Sequence, residues 1–458
     1  MRKISLLLSL LVAGCSASVA VDLHGRESFE PVPYVGVQHP DWAKNAAVYQ
    51  INTRQFTAAG TFRAAAAELP RVRALGADII WLMPIHPIGE KNRKGTLGSP
   101  YAVQDYFGIN REFGTLADFQ SFVDRAHELG MYVIIDWVAN HSAWDNPMIE
   151  EHPEWYTRGT DGEITHTTGT DWTDIADLDY SQPGLRRYMT EAMEYWVRDV
   201  GIDGYRCDVA GYVPLDFWNT VRRRLDAIKP VFMLAEWESR DMHATAFDMT
   251  YGWSWNSMLH RVAMGQANAD AIRGWYAGHY NIWPQDAWRM VFVSNHDKNS
   301  WEGTQFEQFG AALDAAVVLS VIGDGVPLLY NGQEAGNARR LAFFDKDPIE
   351  WRAHPIGDLY RKLFALLDIN TALWHGAFGV PMVVIENDQP DAVYSFMRSN
   401  DSDSVVAVFN FSDETRWVRL QNPEQSDSYT DFFSGESVTM KSISELQMAP
   451  WTYRVFVR

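Results

Sequence analysis

Four short segments of this chain end an apolar run in side chains able to carry charge or move protons. Val133-Ile134-Ile135 leads into Asp136-Trp137-Val138-Ala139-Asn140-His141, and Gly204-Tyr205 leads into Arg206-Cys207-Asp208. Phe232-Met233-Leu234-Ala235 ends in Glu236, and Val291-Phe292-Val293 ends in Ser294-Asn295-His296-Asp297. A buried charge is costly unless it is paired, so core strands do not ordinarily finish in lone acids. Four such endings point to one shared polar site. The cleavage of a glycosidic bond needs two carboxyl groups, one nucleophile and one general acid, about 5–5.5 Å apart when configuration is retained. Asp208 and Glu236 end what read as adjacent strands. Arg206 lies two residues before Asp208, hence on the same strand face, where it would keep Asp208 ionised. The apolar run before Glu236, with Trp237 after it, would raise its pKa and suit it to donate a proton. Asp297 offers a third carboxylate for sugar hydroxyls and developing positive charge, and His141 and His296 offer neutral donors.

The elements that must position these groups can be read from the alternation of the chain. Strand-like runs occur at Ala47–Ile51, Asp78–Met83, Tyr132–Val138, Gly204–Val209, Val231–Glu236, Ala246–Thr250, Arg289–Ser294 and Val326–Tyr330. Helical patterns separate them. Thr115 with Asp118 has capping-box form and opens a helix carrying Phe119, Phe122, Val123 and Ala126 on one face, stopped by Gly130. Pro183 opens another, with Leu185, Met189, Met193, Trp196 and Val200 as its stripe before Gly201. Eight continuous apolar strands alternating with helices predict a parallel sheet covered on both faces. Closure into a (β/α)8 barrel would gather the polar groups at the C-terminal strand ends. The stretch from Ile85 to Gly114 predicts a loop over the site. The polar stretch 141–182, rich in Trp and Thr, predicts a subdomain inserted after the third strand. From about residue 375, short runs at Pro381–Ile385, Ala392–Met397, Val405–Phe411, Thr415–Leu420 and Tyr453–Val457 predict an antiparallel β-sandwich.

Composition narrows the function. A chain of 458 residues with 47% hydrophobic content has ample material for a large core. Its net charge of −20 argues against nucleic acid as a partner, since phosphate binding needs Lys/Arg surfaces. Nineteen tryptophans offer aromatic faces for sugar rings, although core packing accounts for most of them. Of the two cysteines, Cys15 follows Arg2-Lys3 and the apolar stretch Leu6–Val12, the layout of an export signal too short to span a bilayer. Leu11-Val12-Ala13-Gly14-Cys15 resembles a bacterial lipoprotein signal, which implies lipidation of Cys15; the alternative is an ordinary signal cut nearby. Ser16 then points to the outer membrane of a Gram-negative bacterium, with periplasmic or extracellular release as the alternative. The expected organisation is a signal peptide over 1–14, a lipidated tether over 15–44, a catalytic barrel over 45–374 with 141–182 inserted, and a sandwich over 375–458. Contact with a membrane is expected through the lipid alone.

Together these segments resemble the four signature regions of the α-amylase family, glycoside hydrolase family 13. Ala176-Asp177-Leu178-Asp179 resembles its fifth region, Gly76-Ala77-Asp78-Ile79-Ile80-Trp81-Leu82-Met83-Pro84 its second strand, and Pro327-Leu328-Leu329-Tyr330-Asn331-Gly332-Gln333-Glu334 its eighth. The resemblance implies retaining hydrolysis of α-1,4-linked starch-type glucans, maltooligosaccharides or cyclodextrins. It makes Asp208 the nucleophile, Glu236 the acid/base and Asp297 the transition-state stabiliser. Arg206, His141 and His296 would contact the sugar at the cleavage point, and Tyr101 would stack on it. Two other readings use the same barrel: an α-glucanotransferase and a non-catalytic glucan-binding surface protein. Ala102 stands where many α-glucosidases of the family carry an aspartate that pins the chain end, which counts against an exo-glucosidase. Gly211-Tyr212 stands where typical α-amylases have Lys-His, a pair that helps hold calcium. Asp208-Val209-Ala210 is closer to neopullulanases and cyclomaltodextrinases. No cofactor or metal ligand is required by this reading; calcium enters only as an ion that Asn140 would help hold, and otherwise Asn140 braces the insert.

Overall fold

A computed structural model describes residues 33–421, 427–441 and 443–458 of the chain. The signal peptide, Cys15 and the first part of the expected tether lie outside the described residues. Eight parallel strands close a barrel: β1 (Val48–Ile51), β2 (Ile79–Leu82), β3 (Tyr132–Trp137), β6 (Gly204–Cys207), β7 (Phe232–Ala235), β8 (Met249–Tyr251), β9 (Trp288–Phe292) and β10 (Val326–Tyr330), paired in that order around the ring. β4 (His141–Ala143) and β5 (Ile175–Asp177) form a separate antiparallel pair inside the insert.

Alternation along each strand builds two layers of core. Val48, Trp81, Ile134, Leu234, Met249 and Phe292 fill the barrel interior, whereas Tyr49, Ile80, Val133, Tyr205 and Met233 pack outward against the helices. The helix Leu116–Glu128 begins at Thr115 with the expected reciprocal capping box to Asp118. The helix Pro183–Tyr195 continues into a widened π-turn over Trp196–Val200 and ends at Gly201 in the left-handed region.

Two sequence expectations need correction. The sixth barrel strand runs over Met249–Tyr251 and not Ala246–Thr250. The carboxylate of buried Asp248 accepts from Arg222 Nη1, the Met233 amide and His39 Nδ1, so the chain enters the sheet only after this ionic knot. The same knot corrects the C-terminal part of the expected tether. Arg222 Nη2 donates to Gln38 O, the His39 ring stacks on Trp288, and Val37 and Ala43 are buried. Residues 35–44 therefore pack with the barrel.

After the barrel, β11 (Val383–Val384), β13 (Val393–Ser399), β14 (Ser404–Asn410), β16 (Asp427–Asp431), β17 (Ser437–Met440) and β19 (Tyr453–Val457) form one antiparallel sheet. A smaller sheet holds β12 (Glu386–Asn387), β15 (Arg416–Gln421) and β18 (Ile443–Met448). Val393, Val408, Val418, Leu420, Met448 and Phe456 share the apolar cluster between them. β16, β17 and β18 have no counterpart among the sequence expectations because they mix polar with apolar residues, and β17 and β18 are mostly exposed or half-exposed. Arg398, buried on β13, donates to the carbonyls of Gly323, Trp374 and Val380 and so ties the sandwich to the barrel.

Candidate active site

The register of three neighbouring strands assembles the site. Asp136 on β3 lies beside Arg206 on β6, and Cys207 pairs with Ala235 on β7, so Asp208 and Glu236 leave the sheet at the same level. Arg206 is fully buried. Its Nη1 donates to Asp136 Oδ1 at 2.7 Å and Asp208 Oδ1 at 2.9 Å, and its Nε donates to the Tyr251 hydroxyl at 3.1 Å. Its Nη2 lies 2.9 Å from Glu236 Oε1, a charge contact without good hydrogen-bond alignment. Asp208 and Glu236 thus converge on the terminal nitrogens of one guanidinium.

Glu236 has a better-aligned partner. The Val209 amide donates to its Oε2 at 2.7 Å. Val209 reaches that position with φ 34° and ψ 47°, a left-handed conformation that is strained for a β-branched residue. The turn between the two acids therefore stores strain of about 1–3 kcal/mol while directing one amide at Glu236.

One guanidinium cannot neutralise three carboxylates. Burial is the largest influence on each of them and pushes Glu236 up to about 8 and Asp136 and Asp208 up to about 7, with Arg206 opposing it in every case. This modifies the expectation that Arg206 alone would hold Asp208 ionised: the ion pair limits a rise that burial causes. Near neutrality Glu236 holds its proton most firmly, and Asp208, hydrogen-bonded directly to Arg206, ionises more readily.

The remaining predicted residues meet on the opposite wall. Gln50 Nε2 donates to His296 Nδ1 at 2.7 Å, which leaves the His296 Nε2 proton facing the Tyr101 oxygen at 2.7 Å. The Tyr101 hydroxyl then donates to Asp136 Oδ2 at 3.1 Å. Burial lowers His296 to about 4 and His141 to about 3, so both rings are neutral. Asp297 lies beside His296, with Oδ2 3.4 Å from Nε2. Asp208, Glu236, Asp297, Arg206, His141, His296 and Tyr101 all line one cavity of about 530 Å³. Its lining also includes Trp172 from the insert, Trp301 from the helical turn Lys298–Glu302 after β9, and Phe343 and Phe344 from the loop after β10.

Gln50, Asp136 and Tyr251 were not singled out in the sequence as site residues. The signal for Gln50 was a polar side chain within the buried run Val48-Tyr49-Gln50-Ile51. Asp136 was visible as the first of the four strand endings. Nothing local distinguishes Tyr251 or Phe343.

The Gly211 departure has a steric reason. A Cβ there would come within 2.0 Å of the Trp237 ring, so no side chain can occupy the position while that indole stays in place. Asn140 is tied into the insert that follows β3, the brace expected of it. Asn140 Nδ2 donates to Thr167 Oγ1, and Thr167 Oγ1 donates to Asp177 Oδ1 on β5.

Residues 45–354 match the family model for the α-amylase catalytic domain, and residues 384–449 match that for the α-amylase C-terminal all-β domain. The chain belongs to the α-amylase family. It is 31% identical to the α-amylase MalA of Haloarcula japonica over 417 residues, covering 87% of this chain and 59% of that protein. It thus spans under two-thirds of that relative's length. Among solved structures, a maltogenic α-amylase, AmyB, of Thermotoga neapolitana superposes with a TM-score of 0.83 at 32% identity, covering 91% of this chain and 99% of the other. An α-amylase of Lactobacillus plantarum gives 0.81 at 30% identity, covering 91% and 99%.

Proposed function

We propose that this family member is a retaining glycosidase that hydrolyses α-1,4-glucosidic bonds of starch-type glucans, maltooligosaccharides or cyclodextrins. The observation that carries this reading is the convergence of Asp208 and Glu236 on Arg206 at the floor of a single cavity. Asp208 attacks the anomeric carbon while protonated Glu236 gives its proton to the leaving oxygen. The sugar is then held as an ester of Asp208. Glu236, now ionised, takes a proton from the incoming water, whose oxygen releases the sugar and restores both groups. Asp297 binds hydroxyls and steadies the positive charge of the ring. His296 and His141 line the cleavage point as neutral imidazoles, and Tyr101, positioned by His296, offers its ring face. The direct test is incubation of wild type and Asp208→Asn with amylose, pullulan and β-cyclodextrin, followed by chromatography. Turnover by wild type with none by the variant is expected; equal activity of the two would remove the assignment.

One feature favours transglycosylation as a second activity. The Trp237, Tyr212 and Trp172 rings adjoin one another outward from Glu236, with centroids 5.6 and 6.3 Å apart, and offer stacking surfaces for a sugar acceptor. Products mostly longer than the donor on addition of maltose would make the protein a glucanotransferase. A purely glucan-binding role would leave the strained turn at Val209 without a purpose.

We further propose that the protein is exported and anchored to the bacterial outer membrane through a lipid on Cys15. The basic start, short apolar stretch and cysteine of its first segment support this. Fatty-acid labelling that persists in a Cys15→Ala variant would exclude it.

A further inference from the structure

The loop after β2 does more than carry Tyr101. Its segment 90–98 is fastened on both sides of the cavity. On one side the Lys94 ammonium meets Asp174 Oδ1 at 3.0 Å and donates to Asp171 O at 2.9 Å, both in the insert after β3. On the other, the Leu97 amide donates to Phe344 O at 3.1 Å, and the Thr96 amide (at 3.1 Å) and the Thr96 hydroxyl both donate to Asp345 Oδ1, in the loop after β10. Gly95, at φ +66°, passes so close to Phe344 that a Cβ would lie 2.4 Å from its side chain. Buried Arg54 donates to Gly98 O and fixes the base of the segment. Lys94, Phe344, Asp171 and Asp174 all line the cavity.

The ring order says which end this strap covers. β7, which ends just before Glu236, lies diametrically across the barrel from β1, and the strap spans the arc from β3 past β2 to β10 around β1. The group that Glu236 protonates departs on its own side, so the part of the substrate retained on Asp208 extends toward the strap. We propose that segment 90–98, latched by Lys94 to the insert and by Thr96 and Leu97 to the loop after β10, closes the glycone end of the cleft. The enzyme then engages linear α-glucan chains by their non-reducing ends, releases short products and, of the substrates proposed above, spares cyclodextrins, which have no chain end. This inference rests on the hydrolase reading above.

The test uses a nitrophenyl maltooligosaccharide whose non-reducing ring is blocked as a benzylidene acetal, beside its unblocked counterpart, with purified full-length protein. Wild type is expected to cleave the unblocked chain and leave the blocked one nearly untouched. Lys94→Ala, and separately Thr96→Val, should cleave the blocked chain at a rate of the same order as the free one and give longer first products. Wild-type protein that cleaves both chains equally, or variants as restricted as wild type, would overturn the strap. Folded protein inactive on either chain would instead remove the hydrolase reading itself. Circular dichroism of each variant identifies a folding failure, and the second variant then carries the test.

Discussion

The backbone amide of Val209 and the Oε2 of Glu236 form a 2.7 Å hydrogen bond that links the two acids through the chain itself. Asp208 is the residue before Val209, so any rotation of the turn moves the nucleophile and the acid together. Their relative position does not depend on side-chain packing alone. A Val in the left-handed region is the conformational cost of this coupling.

Activity should follow a bell-shaped pH profile. Asp208 must be ionised to attack and Glu236 protonated to donate, so kcat/KM rises with the first ionisation and falls with the second. Burial raises both, Asp208 to about 7 and Glu236 to about 8. Both limbs are expected above the ordinary carboxyl range of about 3.9–4.3. A profile with both limbs in that ordinary range would contradict the buried, Arg206-centred arrangement.

Asp136→Asn should displace that profile. Asp136 raises Asp208 by charge repulsion and shares Arg206 Nη1 with it. Without the charge, Asp208 ionises more readily, and the acid limb moves to lower pH. An unshifted limb in a folded variant would show that Asp136 does not act on Asp208.

Glu236→Gln removes the proton donor and the later base. Turnover of maltooligosaccharides should fall by about 10²–10⁴. A nitrophenyl glycoside with added azide, which needs neither proton transfer, should retain most of its rate. Equal losses on both substrates would argue against the acid/base role.

Gly211→Ala places a Cβ against the Trp237 ring and should cost about 1–3 kcal/mol by overpacking. Calorimetry would show a lowered Tm, and kcat should drop because Trp237 adjoins Glu236. The neighbouring change Tyr212→Ala, at a half-exposed side chain, should leave Tm nearly unchanged. A Gly211→Ala protein as stable as wild type would mean that the indole moves freely.

Much of this architecture was legible because barrel strands buried on both faces leave unbroken apolar runs. Polar residues at their ends, such as Asp208 and Glu236, are then conspicuous. Residues that act from inside such a run are harder to see: Gln50 fixes the His296 tautomer from the middle of β1, and Tyr251 supports Arg206 from a strand of only three residues. Rim residues such as Lys94 and Phe343 belong to irregular loops, where no periodicity marks a side chain as facing a cavity. The sandwich strands β16, β17 and β18 carry too little apolar surface to stand out. The strap also required tertiary information, since its two fastenings join positions far apart in the chain, Lys94 with Asp174 and Thr96 with Asp345.

Arg398 has a consequence for how the molecule comes apart. Its guanidinium is buried between the two folding units and spends its donors on three carbonyls, two of them in the linking segment and one at the end of a barrel helix. Pulling the sandwich away would strand that cation in an apolar cleft and uncover the stacked pair Tyr276 and Tyr394. Melting is therefore expected as one concerted calorimetric peak, and a chain shortened before residue 375 should precipitate instead of yielding a free-standing barrel.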